Sequence, residues 1–201
     1  MKKFLAGLFG KPEPLPIANL GWRIQVLSST GSETLLPSAI VRSADDSRRK
    51  GIIFQEFAFF LFCYVDQVAF EIFGDRKRCE ILEALAKMLP VAITEALWST
   101  CPKQVKNEHV AEFAENLRKA EDEYVQCRFE ADVTPEDFIK GSDNLIVRFA
   151  DNIANRLGVL EDPMKRLRIK IDIVYMVLDL LAQEPTLQEL VTKVGNSALP
   201  P

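Results

Sequence analysis

Apolar residues at helical spacing dominate the chain from about residue 50 onward. The most apolar stretch runs from about 50 to 73 and includes nine consecutive uncharged residues, Phe57 to Val65. Gly74 follows it, and a glycine in this place is typical of a helix end. The pattern predicts a long helix over 50–73 that is apolar on nearly all sides, as helices at the centre of a bundle are.

The rest of this region predicts five more helices, most of which have a start signal in the sequence. A proline follows a capping residue at Thr134-Pro135 and at Asp162-Pro163, and Thr186 with Glu189 forms a capping box. The predicted segments are 75–98 with a kink or a break at Pro90, a helix that starts at Cys101-Pro102, 135–157, 163–183, and a last helix over 186–195.

Two stretches alternate between apolar and polar residues, which is the period of a β-strand. Trp22–Val26 predicts a short strand that Ser28–Ser32 should end, after which Ser32 caps a short helix to Val41. The second stretch, 125–133, fits either a helix end or a strand that pairs with 22–26. The predicted fold is all-α, an antiparallel bundle of five to six main helices, with a minor two-stranded β element as an open alternative.

The first eighteen residues are expected to form an N-terminal arm and a connector ahead of a single helical domain over 19–201. Prolines between 12 and 16 favour an extended backbone. Residues 1–11 combine three lysines with large apolar side chains, but their apolar run is too short for a signal peptide. The arm is expected to dock on its own domain, to bind in a groove of another chain, or to contact a membrane surface weakly.

Composition and charge narrow the class of protein. The 201 residues are enough for one sizeable core, and 25 basic against 29 acidic residues give a net charge of -4. Such a chain has no overall positive field to hold nucleic acid, so none is expected as a partner. The spacing of the four cysteines fits neither a zinc motif nor a secreted disulfide framework, which favours a reducing cytoplasm.

Three acids interrupt the apolar stretch and argue against a transmembrane helix. Glu56, Asp66 and Glu71 lie within it, and one acid near a bilayer centre costs about 2.5 to 3.5 kcal/mol. We therefore expect the core helix of a water-soluble protein, without stable membrane insertion. Glu56 and Asp66 either meet basic partners or water at the ends of the core, or line a polar site for a ligand or partner, because isolated buried carboxylates are costly.

A second candidate binding set lies at the start of the helix predicted over 163–183. Lys165, Arg166, Arg168 and Lys170 occupy its first turns, where the helix dipole disfavours positive charge. Neighbouring acids compensate for these charges in the simplest interpretation. An anionic ligand or an acidic partner surface is the alternative.

The sequence holds no recognised catalytic or cofactor motif. Its single histidine, His109, is too few for a di-iron site built from Glu-x-x-His pairs. A nucleophile elbow, a complete phosphate loop and a dinucleotide fingerprint are also missing from the sequence. We predict no metal and no cofactor, and a non-enzymatic role is favoured.

The resulting functional prediction is a cytoplasmic helical interaction or adaptor protein that self-associates. One alternative is a binding protein for an apolar or amphipathic small molecule. The residues that would surround that molecule are Phe59, Phe60, Phe62 and Phe70, with Glu56 or Asp66 at its polar end. The other alternative is an enzyme with dispersed catalytic residues, which needs a cleft containing at least three of Glu56, Asp66, His109, Glu112, Asp172 and Asp179.

Overall fold

The computed structural model describes residues 16–35, 46–140, 143–156, 162–183 and 185–197. Within these ranges the chain forms seven helices and no strand, which confirms the all-α class. The antiparallel bundle, and the division into an arm and a single domain, stay predictions. The helices are α1 (Pro16–Leu35), α2 (Asp46–Leu97), α3 (Lys103–Tyr124), α4 (Pro135–Lys140), α5 (Leu145–Arg156), α6 (Pro163–Leu181) and α7 (Leu187–Gly195).

The apolar stretch predicted at 50–73 is the first part of α2, and the chain's own helices bury it. Every residue over 57–62 is at most 3% exposed. α2 packs against α1, α3, α5 and α7. The ring of Phe60 lies 4.8 Å from that of Phe149 on α5, and the ring of Phe59 lies 5.0 Å from that of Phe113 on α3. The prediction that this helix packs among its own neighbours is confirmed.

By length and composition alone, the part of α2 over Arg49–Leu97 could also cross a membrane. Of its most apolar 18-residue window, however, 56% is buried inside the folded chain. The core helix of a folded domain passes the same test, because it too is long and apolar. The burial of residues 57–62, rather than the hydropathy, therefore shows that this part of α2 packs inside the folded chain.

Gly74 divides α2 into a first half (46–73) and a second half (75–97). Its φ of 71° and ψ of -177° are not helical. This φ is in the left-handed region, which glycine adopts at little cost because it has no Cβ. The helix end expected at Gly74 is thus a break between two helical halves.

α3 shows that the second half folds back beside the first. Phe113 of α3 contacts Phe59, and α3 ends close to Gln67, so α3 runs in the direction of the first half. At the start of α3, Lys106 pairs with Glu95 at 2.7 Å, so α3 runs against the second half. The two halves of α2 therefore run in opposite directions, with α3 along both.

The strand predicted over residues 22–26 is wrong. Residues 22–26 lie inside α1, whose buried residues Leu20, Ile24 and Leu27 recur at helical spacing. The serine-rich stretch does not end the helix, because the hydroxyl of Ser28 donates to the Ile24 carbonyl at 2.8 Å within it. The helix predicted from Ser32 to Val41 is wrong at its start, since Ser32 is part of α1, and residues 36–45 lie outside the described part of the chain.

Two other boundaries differ from the prediction. α2 continues through Pro90 to Leu97, so the break that was one of the two alternatives there does not occur. Leu89 and Ile93 on either side of the proline are completely buried and hold the helix in place. The helix predicted over 135–157 is divided into α4 and α5. The side chain of Asn144 accepts a hydrogen bond from the Ile146 amide at 3.0 Å, which caps a new helix start there.

The minor β element is not confirmed. Its first strand is helical, and among the described residues extended pairing is limited to one parallel bridge between Arg128 and Asn144. The start signals further along are confirmed, since the side chain of Asp162 accepts two amide hydrogen bonds at the start of α6. The capping box of Thr186 and Glu189 starts α7 as expected.

Two glycines of α2 provide a matched test of the bend. A Cβ at Gly51 or at Gly74 would have no atom within 4 Å, but only Gly74 has a positive φ. We expect Gly74→Ala to lower the free energy of unfolding by about 1–2 kcal/mol, and Gly51→Ala to raise it by up to about 1 kcal/mol. Urea denaturation measures both, and equal effects of the two changes would contradict the bend.

Candidate functional site

A half-open cleft of about 770 Å³ lies beside the bend of α2, against the end of α3 and the segment 125–130 that follows it. Aromatic rings of Phe62, Phe70 and Phe129 line it. Phe62 is buried, whereas Phe70 is 52% exposed and Val125, also in the lining, is 73% exposed. This α2–α3 cleft therefore presents apolar surface to the solvent.

Gln67 holds the wall formed by segment 125–130. Its side-chain amide donates to the carbonyl of Cys127 at 2.8 Å and accepts from the backbone amide of Phe129 at 2.6 Å. The ring of Phe129 also meets that of Tyr64 edge to face at 4.7 Å. Because both amide groups of Gln67 are used, the wall has a defined position relative to α2.

An ion pair crosses the bend at one end of the cleft. Nε and Nη2 of Arg78 both donate to the carboxylate of Asp66, the second at 2.9 Å. The hydrogen bond with Asp66 is the largest cause that raises the pKa of Arg78 above its ordinary value. Arg78 also lies 5.9 Å from the centre of the Phe70 ring. Asp66, one of the predicted site residues, is thus in the cleft and already paired.

Acidic residues outnumber basic ones five to two in the lining of the cleft. Burial is the largest cause that raises the pKa of Glu121, and the nearby charges of Asp66 and Asp122 raise it further. A cation in the cleft would relieve this repulsion. The acids are Asp66, Glu71, Glu121, Asp122 and Glu130, and the basic residues are Arg78 and Arg128.

Glu56 does not line the cleft but lies deeper in the fold, where it is 2% exposed. Nη2 of Arg156 lies 2.6 Å from Oε1 of Glu56, but the two groups are not oriented for a hydrogen bond. Burial raises the pKa of Glu56 to about 7; the charge of Arg156 lowers it and that of Glu123 raises it. Glu56 therefore lies beside one basic side chain of its own chain, inside the fold rather than at the end of the core.

The basic cluster on α6 meets acids and carbonyls of its own chain. Asp151 of α5 lies 2.9 Å from Nζ of Lys170 and 3.2 Å from Nη2 of Arg166. Lys170 is 5% exposed and also donates to the Phe138 carbonyl at 3.0 Å. Lys165 and Arg168 are exposed, and Lys165 lies 3.7 Å from Asp162. The structure places these four residues away from the cleft, and internal acids balance much of their charge.

The five acids and one histidine named as dispersed catalytic candidates do not converge. Asp66 is the member of that set that lines the cleft. His109 and Glu112 form a pair at 3.4 Å on α3, with the His109 ring stacked on Trp98 at 4.2 Å, while Asp172 and Asp179 are exposed on α6. Among the described residues, no three His, Cys, Asp or Glu side chains are arranged to hold a metal ion.

The two thiols in the cleft are poor nucleophiles. Burial is the largest cause that raises the pKa of both Cys63 and Cys127. Reactive cysteines need a lowered pKa, because the thiolate is the attacking form. These side chains therefore contribute small apolar surface rather than chemistry.

Sequence reasoning missed several residues that build the cleft. Gln67 and Arg78 were not among the predicted site residues, and Phe129 lay in the stretch that fitted either a helix or a strand. Phe62 and Phe70 do line the cleft, whereas Phe59 pairs with Phe113 and Phe60 with Phe149 in the core. The arrangement follows from the fold-back at Gly74, which the sequence marked only as a helix end.

The raised pKa of Glu56 predicts a specific dependence of stability on pH. Between pH 4.5 and about 7 the folded state keeps a proton that the unfolded state has lost, so stability falls as the pH rises through this range. Relative to Glu56→Gln, the natural protein should lose on the order of 3 kcal/mol over that window. Denaturant unfolding at several pH values measures the difference.

Arg156→Gln is the matched control for this experiment. Removing the cation should raise the pKa of Glu56 further and extend the loss of stability to higher pH. Parallel pH profiles for the natural protein and Glu56→Gln would show that the Glu56 carboxyl titrates as it does in water.

Comparison with known proteins found no family model, curated protein or solved structure that matches this chain.

Proposed function

We propose that this protein is a non-enzymatic cytoplasmic interaction protein, and that it associates with itself through the α2–α3 cleft. The observation that carries the proposal is the cleft itself, in which exposed apolar side chains meet an acidic lining. Exposed apolar surface with polar residues around it is typical of interaction sites. The four free thiols fit a reducing compartment.

The shape of the cleft favours a polypeptide as its occupant. Small-molecule sites usually enclose 70–90% of the ligand surface, whereas this cleft is half open and two of its apolar residues, Phe70 and Val125, are more than half exposed. A side chain or short segment from a partner can cover these residues and leave its own backbone outside. Aromatic residues of this kind are enriched at the centres of protein interfaces.

An amphipathic small molecule remains the second candidate, and the volume of the cleft favours it. About 770 Å³ falls within the range of roughly 300–1,000 Å³ that ligand sites occupy. Phe62 and Phe70 would contact its apolar part. Native mass spectrometry of the purified protein distinguishes this candidate, because a bound molecule adds a defined mass to the monomer.

Sedimentation at tens of micromolar tests the proposal. We expect the natural protein to form dimers or larger assemblies, and Phe70→Ser combined with Val125→Ser to weaken association at least tenfold, because both residues lose apolar contact area. The matched control combines Trp22→Ser with Met164→Ser, which alter apolar residues that are 61% and 74% exposed and do not line the cleft. It should leave association unchanged.

Two results would overturn the proposal. One is a protein that stays monomeric at all of these concentrations. The other is dissociation of the assembly by the Trp22 and Met164 changes but not by the changes in the cleft. Circular dichroism of each variant checks that the helices are retained.

A further inference from the structure

Residues 1–11 carry positive charges and large apolar side chains, which are complementary to the acidic and apolar lining of the α2–α3 cleft. They carry Lys2, Lys3 and Lys11 without any acid, and their large apolar side chains include Phe4 and Phe9. Residues 1–15 lie outside the described part of the chain, so their sequence and the geometry of the cleft carry the inference. A helix of about eleven residues is marginal in water unless it packs against a surface.

The cleft is complementary to that segment in two respects. Its acidic residues outnumber its basic ones, and Arg78 is already engaged with Asp66, so incoming lysines meet unbalanced negative charge. Its apolar residues Phe70 and Val125 remain 52% and 73% exposed within the described chain. Opposite charge at the edge and apolar contact in the centre are the usual arrangement of a specific interface.

A segment from a second copy, rather than the chain's own segment, would account for the proposed self-association. The main contacts of α1 are with α2, α6 and α7, while the cleft lies against α3. α1 contributes no residue to the lining of the cleft. Residues 12–15 link the segment to α1 and include two prolines.

We propose that residues 1–11 of one copy bind in the α2–α3 cleft of a second copy, with lysines beside the acidic lining and phenylalanines against the aromatic surface. This inference rests on the proposed function, since it names the contact that produces self-association. If both copies exchange their segments, the assembly closes as a symmetric dimer. If the exchange is in one direction, it extends as a chain of molecules.

Photocrosslinking in the full-length protein locates the segment. A photoreactive Phe9→benzoylphenylalanine chain is prepared in unlabelled and ¹⁵N-labelled forms, which are mixed before irradiation. We expect crosslinks to residues 62–71 or 121–130, with pairs that join a labelled to an unlabelled chain. The matched control places the same group at Met164, which is exposed on α6 and should not crosslink to the cleft.

A charge exchange tests the ionic part of the contact. Lys3→Glu and Glu71→Lys should each weaken self-association by about fivefold, and the two together should restore most of it. Glu83→Lys, on the second half of α2 outside the cleft, is the control and should not restore association to Lys3→Glu. Sedimentation equilibrium measures the four variants and the natural protein.

The outcomes separate this inference from the proposed function. Crosslinks to the cleft between labelled and unlabelled chains, with restoration by Glu71→Lys, support the inference. Crosslinks to the cleft within one chain overturn the second copy as the source. Self-association that depends on Phe70 but shows no crosslink from position 9 to the cleft overturns the inference and leaves the proposed function standing. A monomeric protein without such crosslinks overturns both.

Discussion

The reversal of direction at Gly74 is the constraint on which the rest of the structure depends. One residue with a positive φ turns an apolar helical stretch back on itself, so that α3 can pack along both halves of α2. Without that reversal, Asp66 and Arg78 would be separated by twelve helical positions, about 18 Å of rise. Because the two halves fold together, these residues form an ion pair instead, and the cleft opens beside the turn.

Two acids of the same apolar helix have different environments, and burial explains the difference. Glu56 is almost completely buried, and the charge of Arg156 does not offset the cost of removing its carboxylate from water, so its pKa rises. Asp66 lies partly exposed at the edge of the fold, where Arg78 binds it through two donors. Nothing in the sequence gives a reason to expect different environments for Glu56 and Asp66. The structure makes one a component of the core and the other part of a surface with excess negative charge.

The helical class and the apolar first half of α2 could be predicted because helical periodicity and the length of an apolar stretch are local properties of the sequence. The start signals at Asp162 and Thr186 were equally local, and they were confirmed. Alternation over only five residues misled the prediction for Trp22–Val26, since the wider spacing of Leu20, Ile24 and Leu27 follows a helix. The cleft could not be predicted, because the contacts of Gln67 with segment 125–130 join residues about sixty positions apart.

Hydrogen–deuterium exchange at increasing protein concentration tests most directly whether the α2–α3 cleft is the surface of association. Because backbone amides covered by a partner exchange more slowly, protection should grow with concentration at 62–71 and 121–130. The buried stretch 57–61 should already be protected in dilute protein, which provides an internal reference. Concentration-dependent protection that appears around Trp22 and Val91 instead, or none at all, would contradict the role assigned to the cleft.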